Sequence, residues 1–115
     1  MVAPSAGAVV LVPFPFSDLT QSKLRPAIVL ARVSQDDFIL CQLTSNPYAD
    51  PRAVEITNND FAKGGLRRTS YARPGKLFTA NRGLIVAQVG TLQAQLFQQV
   101  LDAVVNLLRG PSATP

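Results

Sequence analysis

Apolar positions in the first third of the chain fall in short unbroken runs rather than in strict alternation. Residues 9–12 (Val-Val-Leu-Val) and 27–30 (Ala-Ile-Val-Leu) are such runs, and their length and β-branched content suit strands buried on both faces. The same reading predicts strands at 8–12, 27–33, 38–43, 53–56, 70–79 and 84–89, with an irregularity at Pro74-Gly75 in the fifth. Between the first two runs, Pro13 and Pro15 alternate with Phe14 and Phe16. Proline lacks the ladder donor and restricts the residue before it, so the first strand is expected to end there. Residues 17–24 follow as a polar loop. The Ser-Gln-Asp-Asp cluster at 34–37 reads as a tight turn, which makes the second and third strands an antiparallel hairpin. Residues 58–65 form a polar, glycine-bearing connection with room for one helical turn.

The period changes near the end of the chain. Leu92, Leu96, Phe97, Val100, Leu101, Val104, Val105 and Leu108 recur at three-to-four-residue spacing, which draws an apolar stripe along a helix. Gln93, Gln95, Gln98, Gln99, Asp102 and Asn106 occupy its other face. Thr91 is placed to cap the N-terminus, and Gly110-Pro111 supplies a stop. The polar face lacks the lysines that hold a helix to anionic lipid, so the stripe is expected to pack on the strands, with length to spare for a subunit interface. Residues 110–115 are too rich in proline and small residues to be ordered without help. The fold class is therefore mainly β with one C-terminal helix, in a single domain (1–115) whose core spans about residues 7–108.

Composition narrows the chemistry. A chain of 115 residues with 47% hydrophobic content fits one compact core. No apolar run approaches the roughly 18 to 20 residues that cross a bilayer, and the start lacks the basic and long apolar stretches of a secretory signal, so a cytoplasmic location is expected. The single cysteine, Cys41, has no partner for an internal disulfide and reads as a small core residue. There is no histidine, which removes the familiar serine or cysteine triads, histidine-assisted ribonuclease pairs and histidine-bearing zinc sites. The carboxylates are scattered, and the adjacent Asp36 and Asp37 read as a turn. No glycine-rich phosphate loop opens a helix. Arginine, lysine, hydroxyls and backbone amides remain, and neither a metal site nor a cofactor is expected.

The net charge is +4 and the pI about 9.8. Residues 63–82 carry Lys63, Arg67, Arg68, Arg73, Lys76 and Arg82 without one acidic residue, a candidate footprint for a polyanion. Tyr71 and Phe78 are interleaved with these charges and offer faces for base stacking. A solvated edge of a basic domain, or a surface for an acidic protein, would have the same composition. Arg25 stands at the mouth of the second apolar run, biased toward an extended backbone by Pro26. An arginine at a strand end is ordinarily a solvated charge, but this one has a repeatable position on a rigid element.

Taken together, residues 7–31, with the Lys23-Leu24-Arg25-Pro26 element between two apolar runs, resemble the start of the MazF/PemK family of toxin endoribonucleases. The similarity continues through Cys41-Gln42-Leu43-Thr44-Ser45-Asn46, Ala53-Val54-Glu55-Ile56, Ser70-Tyr71-Ala72-Arg73-Pro74-Gly75-Lys76-Leu77 and Val89-Gly90-Thr91-Leu92. It spans about residues 7–108, and the first block is the specific one.

This resemblance implies an SH3-like antiparallel β-barrel with a C-terminal helix, assembled as a homodimer with single-stranded RNA in a groove across the interface. It implies metal-independent, sequence-specific cleavage by attack of the ribose 2′-hydroxyl, giving a 2′,3′-cyclic phosphate, and an acidic antitoxin as partner. The residues that match the catalytic positions are Arg25 and Thr44. Lys23, Ser45, Asn46, Arg73 and Lys76 are the corresponding candidates for RNA binding, and the loops at 17–24 and 46–52 for sequence readout. An arginine, with a pKa above about 12, is poorly matched to proton abstraction near neutrality. Some family members have an acidic residue soon after the basic residue of the later strand, whereas Pro74-Gly75 follows Arg73 here. The general base is thus unassigned, with Glu55 a candidate or else an ordinary strand charge. Two other readings accommodate such a chain: a topoisomerase-poisoning toxin similar to CcdB, acting through the helix end, and a non-catalytic RNA-binding module.

Overall fold

A computed structural model describes residues 3–15 and 22–110. Seven strands form one antiparallel sheet: β1 (Ala8–Pro15), β2 (Ser22–Arg32), β3 (Asp37–Thr44), β4 (Val54–Ile56), β5 (Phe61–Gly64), β6 (Ser70–Asn81) and β7 (Ala87–Leu92). Their order across the sheet is β4-β6-β3-β2-β1-β7-β5. The sheet curls around a core closed by the helix α1 (Ala94–Arg109). The architecture is the mainly β, barrel-like one that the sequence implies, and no helix among the described residues is long and apolar enough to cross a membrane.

The unbroken apolar runs have a direct explanation, because both faces of the central strands are covered. Val9, Ile28, Leu30, Cys41, Leu43 and Ala72 point to the α1 side, where they meet Leu96, Val100 and Val104. The alternate residues Val10, Val12, Ala27, Val29, Phe38 and Leu40 form a second core with Ile85 on the opposite face. Period-2 alternation thus survives in space while disappearing from the hydropathy pattern.

Several boundaries differ from the sequence expectations. β1 runs through Pro13 and Pro15, which pair with Leu24 and Ser22. The ladder between β1 and β7 ends at Leu11, so both prolines lie where one side of β1 needs no donor. For the same reason β2 begins at Ser22, and only residues 17–21 of the expected 17–24 loop remain; these lie outside the described residues, as do residues 111–115 of the expected tail. The 34–37 turn joins β2 and β3 as an antiparallel hairpin.

The final strand begins at Ala87 because residues 82–84 make a 3-10 turn, with the Asn81 side chain accepting the Gly83 N–H at 2.9 Å. Residues 58–60 form the helical turn expected in the polar connection, but residues 61–64 then become β5, an edge strand of mostly exposed residues. Thr91 is not the helix cap: it lies in β7, paired with Ala8, and Gln93 takes the cap position without a side-chain bond. Leu92 belongs to β7 as well, while Val105 and Leu108 are exposed, so the buried stripe of α1 is narrower than the spacing suggests. Gly110 ends the helix with φ +73°.

The irregularity at Pro74-Gly75 is a wide bulge in β6. Cys41 pairs with Leu77 and Leu43 with Ala72, leaving Gln42 of β3 opposite residues 73–76. Pro74 is fully buried in the bulge, and the Cys41 thiol donates to the Arg73 carbonyl at 3.3 Å. The bulge re-aims the start of β6 so that Ser70–Ala72 can also pair with β4.

Candidate active site

Cross-strand register assembles a row of side chains at one end of the sheet. Arg25 pairs with Val12. The β2–β3 ladder ends at the Ala27 and Gln42 pair; continued for two residues, its register would bring Arg25 opposite Thr44. Thr44 pairs with Tyr71, and Tyr71 pairs with Glu55. Directly opposed residues share a face, so Arg25, Thr44, Tyr71 and Glu55 form one polar row over β2, β3, β6 and β4. That face is the one whose apolar part is the second core, and it turns polar where Val12 meets Arg25.

Thr44 is 7% exposed. Its hydroxyl oxygen accepts the Asn46 N–H at 3.2 Å, which orients the side chain and leaves its own O–H to donate. Arg25 is half-buried and Lys23, two residues earlier on the same side of β2, is exposed. Ser45 and Asn46 are exposed just past the end of β3. Gln42, Lys76, Leu77 and Phe78 line a cleft of about 300 Å³ beside the row, with Gln42 on the same face as Thr44.

Arg73 occupies a different environment from the one its composition suggests. Its Nε lies 3.3 Å from Oδ2 of Asp50, and its guanidinium sits 5.2 Å from the centre of the Tyr48 ring. The Arg52 N–H donates to the other Asp50 oxygen at 2.9 Å. These contacts, the Arg52 amide first and Arg73 behind it, hold the Asp50 carboxyl below the usual carboxylate range against the opposing effect of desolvation. Tyr48 and Asp50 fall in the 46–52 loop expected to serve sequence readout, but the sequence does not single them out. They are 25 and 23 residues from Arg73 in sequence, and the available signal was an aromatic inside the turn-forming Asn-Pro-Tyr-Ala-Asp-Pro stretch.

The basic segment 63–82 does not form one surface. Arg73 and Lys76 flank the bulge near the row, whereas Arg82 lies at the far end of β6. There its Nε is 3.7 Å from an Asp36 oxygen and its terminal nitrogen donates to the Gln35 carbonyl at 3.2 Å. Lys63 is on β5, at the sheet edge remote from β6 in strand order. Tyr71 stands in the row and Phe78 in the adjoining cleft. Among the described residues, no three histidine, cysteine, aspartate or glutamate side chains gather where they could hold a metal ion.

Comparison with known proteins places this small curled sheet with its terminal helix in a class of toxin proteins. The profile of PemK-like, MazF-like toxins of type II toxin-antitoxin systems matches residues 5–108, and the chain belongs to that family. No curated protein sequence matches it significantly. Among solved structures it is similar to a MazE-MazF complex from Deinococcus radiodurans, with 19% identity, a TM-score of 0.75, and coverage of 96% of this chain and 100% of that one. An endoribonuclease in complex with its cognate antitoxin from Mycobacterial species shares 18% identity at a TM-score of 0.71, covering 96% and 98%. The Mycobacterium tuberculosis toxin MazF-mt6 shares 16% identity at a TM-score of 0.65, covering 89% and 98%. At these identities the likeness is one of fold.

Proposed function

We propose that this chain is an endoribonuclease toxin that cuts single-stranded RNA at short sequences without a metal ion. The observation that carries the reading is that Arg25 and Thr44 lie on one face of the neighbouring strands β2 and β3, the face that also bears Lys23, Gln42 and Tyr71. Family membership supports it, as does the same fold in a protein described as an endoribonuclease.

In this reading the RNA phosphate lies over the Arg25–Thr44 pair. The ribose 2′-oxygen bonds to phosphorus as the bond to the 5′-oxygen breaks, leaving a 2′,3′-cyclic phosphate and a 5′-hydroxyl. Arg25 offers a planar, permanently charged donor to the non-bridging oxygens as they gain charge, and the Thr44 hydroxyl donates to the same oxygens. Glu55 is the carboxylate of the row. Three strand spacings of about 4.8 Å separate its backbone from that of Arg25, with Tyr71 and Thr44 between, and we assign it to take the 2′-hydroxyl proton. Lys76, beside the cleft, binds a flanking phosphate.

The protein would act in the cytoplasm as a homodimer and be silenced by a small acidic antitoxin. That partner's carboxylates and apolar side chains would lie along the groove. Antitoxin complexes of the same fold support this assignment. Incubation of the protein and its Arg25→Ala variant with long single-stranded RNA in excess EDTA is the test. Discrete cuts ending in 2′,3′-cyclic phosphate, lost in the variant, are expected. Intact RNA in the presence of folded wild-type protein would overturn the reading in favour of a topoisomerase poison or a non-catalytic RNA binder, which binding assays would separate.

A further inference from the structure

Tyr48 is an aromatic side chain left 63% exposed on a backbone that resists it. Its φ is +54° and that of Ala49 is +56°, two consecutive non-glycine residues in the left-handed region, each unfavourable by about 1–2 kcal/mol. Local bonds hold this shape. The Asn46 side chain accepts the Tyr48 N–H at 2.8 Å, and the Asp50 N–H donates to the Pro47 carbonyl at 2.9 Å. From the β6 side, Arg73 reaches up with its Nε on Asp50 and its guanidinium against the Tyr48 ring. The loop is therefore braced at its root, through Asp50, and under its aromatic ring by one arginine.

Such bracing does little for the core, since the ring buries little apolar surface. It fixes the ring's position and covers one face of it while the residue stays open to solvent. Strained backbone stabilised by surrounding contacts is characteristic of ligand-binding positions. The loop also leads straight from the site, because Asn46 binds both Thr44 Oγ1, through its N–H, and the Tyr48 N–H, through its side chain. Four residues of chain reach at most about 14 Å, which keeps Tyr48 close to a phosphate held at Thr44.

We propose that Tyr48 is a stacking platform for an unpaired RNA base beside the scissile phosphate, and that Arg73 is a positioning residue that holds it through Asp50 and the ring. The proposal rests on the reading of this face as a single-stranded RNA groove. It reassigns Arg73 from phosphate ligand to brace and makes Tyr48 the surface against which the base of that nucleotide is held. An unpaired base stacked on an aromatic is a sequence-tolerant contact, so the preference arises from how the neighbouring loop atoms meet the base edge.

The test uses the full chain and a heteropolymeric 2′-O-methyl oligoribonucleotide, which lacks the attacking hydroxyl, with 2-aminopurine placed at successive positions. Tyr48→Ala is expected to weaken binding by about 5- to 100-fold, as for loss of one stacked base, and to abolish fluorescence quenching at one position. Tyr48→Phe should retain both. Arg73→Gln and Asp50→Asn should reduce the same quenching while leaving the salt slope of binding unchanged. A lost phosphate contact would instead lower that slope by about 0.7.

Wild-type affinity and quenching in Tyr48→Ala would overturn the proposal, as would failure of the wild type to bind the oligonucleotide. A fall in salt slope in Arg73→Gln, with quenching intact, would overturn the role given to Arg73. Tyr48-dependent quenching by a wild type that cuts no unmodified RNA would sustain the platform while overturning the nuclease reading.

Discussion

Gly64 and Gly90 face each other across the β5–β7 ladder, and neither position has room for a side chain. A Cβ on Gly90 would stand 2.6 Å from the Lys63 carbonyl oxygen and 2.7 Å from the Phe61 ring, and one on Gly64 would run into the Val89 carbonyl. Gly64 also has φ +68°. The pairing of β5, a strand with little apolar content of its own, depends on this close backbone approach. Gly90→Ala is expected to cost about 1–3 kcal/mol, the range for overpacking, and Gly64→Ala about 1–2 kcal/mol more for its left-handed backbone. Urea unfolding at constant m-value is the measurement; unchanged midpoints would mean that β5 pairs differently.

The helix offers a contrast within one element. Leu96 is 7% exposed and packs in the main core, whereas Leu108 is 71% exposed. Leu96→Ala should destabilise the fold by about 2–5 kcal/mol, and Leu108→Ala should stay within about 0.5 kcal/mol. A large loss at Leu108 that depends on protein concentration would instead place that residue in a subunit interface.

Cys41 gives a pH signature. Burial pushes its thiol from 9.0 up to about 12, with hydrogen bonding to the Arg73 backbone a smaller opposing influence. Native protein should therefore not react with a thiol reagent at pH 8, and protein unfolded in guanidinium should react fully. Below pH 9 the thiol is protonated in both states and its contribution to stability is fully present. As pH rises past 9 the unfolded thiol releases its proton and the folded one does not, so stability falls by about 1.4 kcal/mol per pH unit until the folded value near 12 is reached. Comparing the pH slope of wild type with that of Cys41→Ala isolates this contribution.

Under the proposed mechanism, Arg25→Ala and Thr44→Val should each lower the rate of RNA cleavage by about 100- to 1,000-fold, as expected for removal of one preorganised donor. Their double variant should lose less than the product, because both donors serve the same oxygens. Glu55→Gln should lower the rate by about 100-fold or more. An unchanged rate would assign proton acceptance to water.

Much of this arrangement could be read from the chain because local rules and tertiary packing agree. The doubly covered runs at Val9 and Ala27, the turn at 34–37 and the period of α1 all predict their elements. Pro13 and Pro15 misled because a proline's effect depends on which side of a strand is paired, a property of the whole sheet. Residues 61–64 escaped because β5 is held by backbone pairing and a glycine contact rather than by an apolar pattern. For the site, the placement of Arg25 and Thr44 on one face of neighbouring strands depends on register, which local patterns do not fix. The Tyr48–Asp50–Arg73 contacts were not legible, since the bulge at Pro74 and the left-handed turn at Tyr48 and Ala49 together aim those groups at one another.

The position of β1 between β2 and β7 also orders events during synthesis. Val9 finds Ile28 early, but Ala8 must wait for Thr91, near the end of the chain. Contacts so distant in sequence form slowly and late, and chains emerge from the ribosome N-terminus first. A nascent chain that stops before residue 87 contains every residue of the row yet lacks the strand that flanks β1 and leads into α1. The sheet is therefore completed only once β7 has been made, well after the residues of the row have emerged.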